Sequence, residues 1–127
     1  MQSAARAAEP GDVHPAAVES AIDDAHLTRM TLGDRKLEKE VLELFERQTC
    51  MLLGRMEQAA PAVIAALAHT LNGSASGIGA DCVAQAALEL ERIASGREQG
   101  DIAAARARLT AAVAIARMAI AGRQRSS

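Results

Sequence analysis

Aromatic side chains are almost missing: the chain has no tryptophan, no tyrosine and one phenylalanine, Phe45. Strand-rich proteins draw on aromatic and β-branched residues for their half-buried faces, so a β sandwich or barrel is disfavoured. The scarcity also removes the stacking platforms that single-stranded nucleic-acid binders use. Cysteine is scarce too. Cys50 and Cys82 stand far apart and make no C-x-x-C pair, which argues against a zinc ribbon or a dithiol redox motif. They read as small core residues. No run of eighteen apolar residues exists to span a bilayer. The opening "MQSAARAAEPGDVHP" holds no apolar stretch of signal-peptide length. A cytoplasmic, non-membrane protein is the expectation.

Net charge is small as well, at −2, so the molecule as a whole is no polyanion binder. Its distribution is uneven: residues 1–60 hold 7 basic and 11 acidic side chains, residues 97–127 hold 6 and 2. Arg106, Arg108, Arg117, Arg123 and Arg125 form the basic end. Without aromatics beside them, they read as complements to the dipole of a last helix rather than as a nucleic-acid site.

What is present is alanine and aliphatic residues; apolar residues make up 50% of the chain. With one aromatic among them, the core must be aliphatic, and small alanines let helices approach closely. Asp23 or Asp24 caps a short helix that ends by Gly33, with Ile22, Leu27, Met30 and Leu32 as its apolar residues. Asp34 caps a long helix whose stripe is Leu37, Val41, Leu44, Phe45, Met51 and Leu52. Pro61 opens the next helix, which Gly77 or Gly79 ends. A further helix runs from about Ala80 to Ala94, burying Val83, Ala87, Leu90, Ile93 and Ala94. Asp101 caps the last, which carries Ile102, Leu109, Val113, Ala116 and Ile120. The fold class is all-α: an antiparallel up-down four-helix bundle with a short N-terminal capping helix. Residues 1–21 read as a flexible leader, 22–121 as the bundle and 122–127 as a frayed tail.

One stretch resists this bland reading. "AHTLNGSASGIGAD", from Ala68 to Asp81, puts a histidine and several glycines and serines into a helix, although each interior glycine costs about 1 kcal/mol relative to alanine. With Ile64 at 0° and a turn of about 100° per residue, Leu67, Ala68, Leu71, Ala75 and Ile78 fall within about 60° of the core direction. His69 falls at about 140°, Ser76 at about 120°, Gly73 at about 180° and Gly77 at about 220°, all outside; Asn72, at about 80°, is at the boundary. Side chains lean toward a helix N-terminus, so Gly73 leaves a notch behind His69. An exposed helical glycine has no packing reason, and close approach by another molecule supplies one.

At these residues the sequence resembles the histidine-containing phosphotransfer (HPt) family of two-component phosphorelays. The family pattern H-x-x-K-G-x-x-x-x-x-G reads here from His69 through Asn72 and Gly73 to Gly79. "LGD" at Leu32–Asp34, "LELF" in the long helix and "LE" at Leu90–Glu91 match in order. The resemblance covers roughly residues 22–120. It implies that His69 accepts a phosphoryl group from a receiver-domain aspartate and passes it to another receiver. It implies no nucleotide site, no autonomous kinase or hydrolase activity and no cofactor of its own; Mg²⁺ would sit in the partner receiver. Response-regulator receivers and hybrid histidine kinases are the implied partners. They would dock over Ala65, His69, Asn72, Gly73, Ser76 and Gly77.

One departure stands out: the family's lysine three residues after the histidine is Asn72 here. An asparagine donates hydrogen bonds without positive charge, so Asn72 is expected either to orient a phosphoryl group while stabilising it less, or to be no more than a tolerated surface residue. Glu91, placed near the histidine by the resemblance, could accept from the other ring nitrogen and fix the tautomer; an ordinary solvated carboxylate is the competing reading. An HPt-like module that docks on a receiver or kinase and inhibits it without transfer is the alternative function. A metal site from His14, His26, His69 and the cysteines is disfavoured, because no two of these lie at i, i+3 or i, i+4. No second apolar stripe demands a dimer, and a monomer is expected.

Overall fold

The computed structural model describes residues 14–126, apart from the side chain of Ser126. Six helices follow in order among them: α1 Pro15–Glu19, α2 Asp24–Thr31, α3 Arg35–Met56, α4 Pro61–Ile78, α5 Asp81–Ala94 and α6 Ile102–Ser126. No strand occurs among the described residues. Helices α3 to α6 form the antiparallel bundle, and α2 packs on α3 and α4.

The starts of these helices follow from side-chain chemistry. Asp23 accepts from the backbone N–H of His26 and Asp34 from that of Leu37, each satisfying a donor that has no partner within its helix. Asp101 does the same for Ala103. Pro61 opens α4, where its missing N–H costs nothing. Gly79 ends α4 in the left-handed conformation, at φ +82°. A Cβ there would lie 3.1 Å from the Cβ of Asp23 and 3.2 Å from that of His26. Glycine therefore serves both the turn and the close approach of α2.

The core is aliphatic, as the composition requires. Leu42, Phe45, Leu52 and Met56 of α3 meet Ile64, Ala68, Leu71, Ala75 and Ile78 of α4. Val83, Ala87, Leu90 and Ile93 come from α5, and Leu109, Val113, Ala116 and Ile120 from α6. Ala68 and Ala75 on α4, and Ala84 and Ala87 on α5, are small and buried. They let α4 and α5 pack more intimately than any other pair. That closeness matters for the site below.

Several expectations change. The expected leader is helical at Pro15–Glu19, where Pro15 occupies the first turn and His14 Nδ1 accepts from the N–H of Ala16. Ala21 is buried beside Ile22; residues 1–13 lie outside the described residues. Helix α6 runs on through Ser126 instead of fraying after residue 121. Arg123 ties it to Asp24 and Glu38, and α1 packs against it. Burial holds the Arg123 guanidinium below its ordinary value. Cys50 and Cys82 are exposed free thiols, not core residues. Their helical positions face water, while Thr49 next to Cys50 takes the buried place. Met30 and Leu32 are exposed; Leu32 is the left-handed C-cap of α2 and projects from its end.

The basic end is spent on the bundle itself. Arg108 pairs with Glu89 on α5, and Arg117 with Glu46 on α3. Arg106 donates to the carbonyl of Met56. Arg108 and Arg117 bridge neighbouring helices and Arg106 meets a carbonyl at the C-terminal end of α3, while Arg123 and Arg125 lie in the last turn of α6, where they complement its dipole as expected.

Candidate functional site

His69 sits midway along α4, and its side chain is 73% exposed. The angle from Ile64 puts it outside the core, and there it is. Its Nδ1 lies 3.1 Å from Oε2 of Glu91 on α5. A carboxylate only accepts, so this contact requires the proton on Nδ1. In the neutral ring the lone pair is then on Nε2, the nitrogen free of that bond. The glutamate is well placed for this task. Its side chain is only 14% exposed, so it is held by packing while the imidazole it supports stays open to solvent.

Glu91 has a second partner. Nη2 of Arg97, in the α5–α6 connection, lies 3.2 Å from the same Oε2. Nε of Arg97 donates to the hydroxyl of Ser95 at 3.1 Å. The turn that delivers Arg97 contains Gly96 in the left-handed region, at φ +83°. Arg97, Glu91 and His69 thus form one hydrogen-bonded row across two elements and the connection between α5 and α6.

Asn72 is placed otherwise than expected. Its amide nitrogen donates to the carbonyl oxygen of Ala84 at 2.8 Å. From the boundary angle, the side chain turns toward α5 and not toward His69. The alanine-rich contact between α4 and α5 brings that carbonyl within reach. Asn72 therefore clamps two helices, and this geometry does not direct its amide to a group on His69.

The rest of the anticipated face is open. A Cβ at Gly73 or at Gly77 would meet nothing within 4 Å, so packing explains neither glycine. Ser76 is exposed and Ala65 half-buried. The carbonyl of Gly77 lies 2.9 Å from Nε2 of His26, which ties α2 to the end of α4. His26 and His14 are thus engaged at helix ends. Among the described residues, no group of three or more His, Cys, Asp or Glu is arranged to hold a metal ion. No helix among them is long and apolar enough to cross a membrane.

A second apolar stripe does exist, contrary to expectation. Leu37, Leu44 and Met51 are exposed, the last two at 58% and 51%. They recur every seven residues, whereas the buried set is Leu42, Phe45, Thr49, Leu52 and Met56. Sequence periodicity merges two neighbouring stripes into one. Gln48 lies beside this stripe and accepts from the hydroxyl of Ser74 on α4 at 2.9 Å. The stripe is therefore on the flank of α3 that borders α4. The exposed face of α4 has Leu44 and Met51 on one side and the Glu91–Arg97 pair on the other.

Residues 40–121 match the family model of the Hpt domain. No curated protein and no solved structure matches the chain.

Proposed function

The chain belongs to the Hpt domain family, and we propose that it carries a phosphoryl group on Nε2 of His69 between receiver-domain aspartates. Hpt domains are phosphotransfer carriers in phosphorelays. The observation that carries the assignment to this residue is the Nδ1–Glu91 bond. It holds the ring in one tautomer and one orientation, with Nε2 as the nucleophile.

In the proposed step, the Nε2 lone pair attacks phosphorus of an aspartyl phosphate. The P–N bond forms as the P–O bond to the aspartate breaks, and the carboxylate leaves with the electron pair. The Nδ1 proton stays on the ring. The imidazolium character that develops is balanced by Glu91 across 3.1 Å. Phosphoryl transfer needs positioning and charge neutralisation more than covalent machinery. Neutralisation at the aspartate falls to the receiver and its Mg²⁺; this chain contributes an oriented nucleophile and a landing face.

That face comprises His69, Gly73, Ser76 and Gly77, with Ala65 at its edge, and it extends onto Leu44 and Met51. Bare backbone at Gly73 and Gly77 admits a partner closely, and the apolar flank of α3 offers area to bury. Incubation with a phosphorylated receiver tests the reading. Acid-labile label is expected on the wild type and is expected to be absent from His69→Gln. Tight receiver binding without label would favour the inhibitory module instead.

A further inference from the structure

Helix α4 carries no lysine, arginine or carboxylate; His69 is its one titratable side chain. Asn72, which stands where a lysine is usual, is engaged with the carbonyl of Ala84. A phosphoryl group on Nε2 would bring up to two negative charges to a helix that offers no cation of its own. Any cation that this chain offers it comes from a neighbouring element.

Arg97 is the cation joined to the pair. Its Nη2 and Nδ1 of His69 approach one oxygen, Oε2 of Glu91, at 3.2 and 3.1 Å. The two nitrogens are therefore at most about 6.3 Å apart, a range over which opposite charges still attract at a protein surface. Its side chain is 65% exposed. Nε is engaged by Ser95 and Nη2 by Glu91, and the fork of a guanidinium leaves further N–H donors. Such a fork matches phosphoryl oxygens in shape as well as charge.

We propose that Arg97 is the phosphoryl-binding cation of this protein, supplied from the α5–α6 connection in place of a helical lysine. The inference rests on phosphorylation at His69. In the resting protein Arg97 is parked on Glu91. When the P–N bond has formed, its donors turn to the phosphoryl oxygens while Glu91 goes on accepting from Nδ1–H. Glu91 thereby positions both the nucleophile and the cation that receives the product.

The test uses phosphoramidate, a small donor that needs no docking face, on the full chain. Wild type, Arg97→Gln and Arg97→Lys are labelled and compared, with the His69 tautomer read by ¹⁵N NMR. The expected result is a labelling rate about fivefold lower in Arg97→Gln and largely restored in Arg97→Lys, the modest size reflecting an exposed cation. The Nδ1–H tautomer is expected to persist in both variants, and the Arg97 guanidinium resonances to shift on phosphorylation of the wild type. Unchanged labelling in Arg97→Gln would overturn the role of Arg97 and leave phosphotransfer by His69 intact. A changed tautomer in Arg97→Gln would also overturn it, by showing that Arg97 acts only through Glu91. A wild type that takes no label on His69 would instead sink the functional reading on which the inference stands.

Discussion

His69 and Glu91 are twenty-two residues apart in the chain, and Nδ1 of one lies 3.1 Å from Oε2 of the other. The pairing joins the midpoint of α4 to the second half of α5 and sets which ring nitrogen is free. Glu91→Ala is expected to release the ring, so that the Nε2–H tautomer becomes populated. Transfer should slow by about tenfold, equivalent to about 1.4 kcal/mol on the barrier. Glu91→Gln keeps an acceptor oxygen and should lose less. Single-turnover transfer from a phosphorylated receiver, with ¹⁵N NMR of His69, measures both effects. Equal rates in wild type and Glu91→Ala would show that the pairing is incidental.

The glycine notch separates stability from function. A Cβ at Gly73 meets nothing within 4 Å, so Gly73→Ala should stabilise the bundle by about 1 kcal/mol through helix propensity. Gly73→Gln should keep its helicity yet block the partner, slowing transfer by at least about tenfold, a steric cost of the order expected at an interface centre. Thermal unfolding and transfer kinetics on the two variants read these opposite effects. Undiminished transfer by Gly73→Gln would mean that nothing lands there.

Leu44 and Met51 are exposed beside the α4 face. Leu44→Asp and Met51→Asp should therefore leave unfolding within about 0.5 kcal/mol of wild type. If a receiver covers this flank, each should weaken its binding by about tenfold, since truncated contacts near an interface core cost about 1 kcal/mol or more. Calorimetric titration with the cognate receiver, done alongside Leu37→Asp further along the stripe, maps how far the footprint extends. Unaltered affinity in both variants would confine docking to α4.

At the α4–α5 turn the expected effect is purely structural. Gly79→Ala places a side chain at φ +82° and within 3.2 Å of Asp23 and His26. A loss of about 1–3 kcal/mol is expected from backbone strain and crowding together. Chemical denaturation gives the value. A variant as stable as wild type would show that α2 can move away without cost.

Much of this architecture is legible in local chemistry. Asp34 and Asp101, and the Asp23–Asp24 pair, announce helix starts because a carboxylate just before an apolar period can cap the free N–H groups of the first turn. His69 is legible because its angle from the Ile64 stripe is wide. Asn72 is not: at the boundary angle, its direction depends on a carbonyl twelve residues away on another helix. Leu44 and Met51 read wrongly as core because two stripes on adjacent faces of α3 share one apparent period. Arg97 gives no signal, since its direction depends on the path of the α5–α6 connection, which turns it back six residues onto Glu91. The length of α6 is likewise set by tertiary ties, above all Arg123 to Asp24 and Glu38.

The most direct measurement identifies the atom that carries phosphorus. Phosphorylated protein, labelled with ¹⁵N at histidine, should show the phosphoryl group on Nε2 of His69 and the proton on Nδ1, by correlated ¹H, ¹⁵N and ³¹P NMR. Phosphorus on Nδ1, on another residue, or equally on His69→Gln would contradict the account.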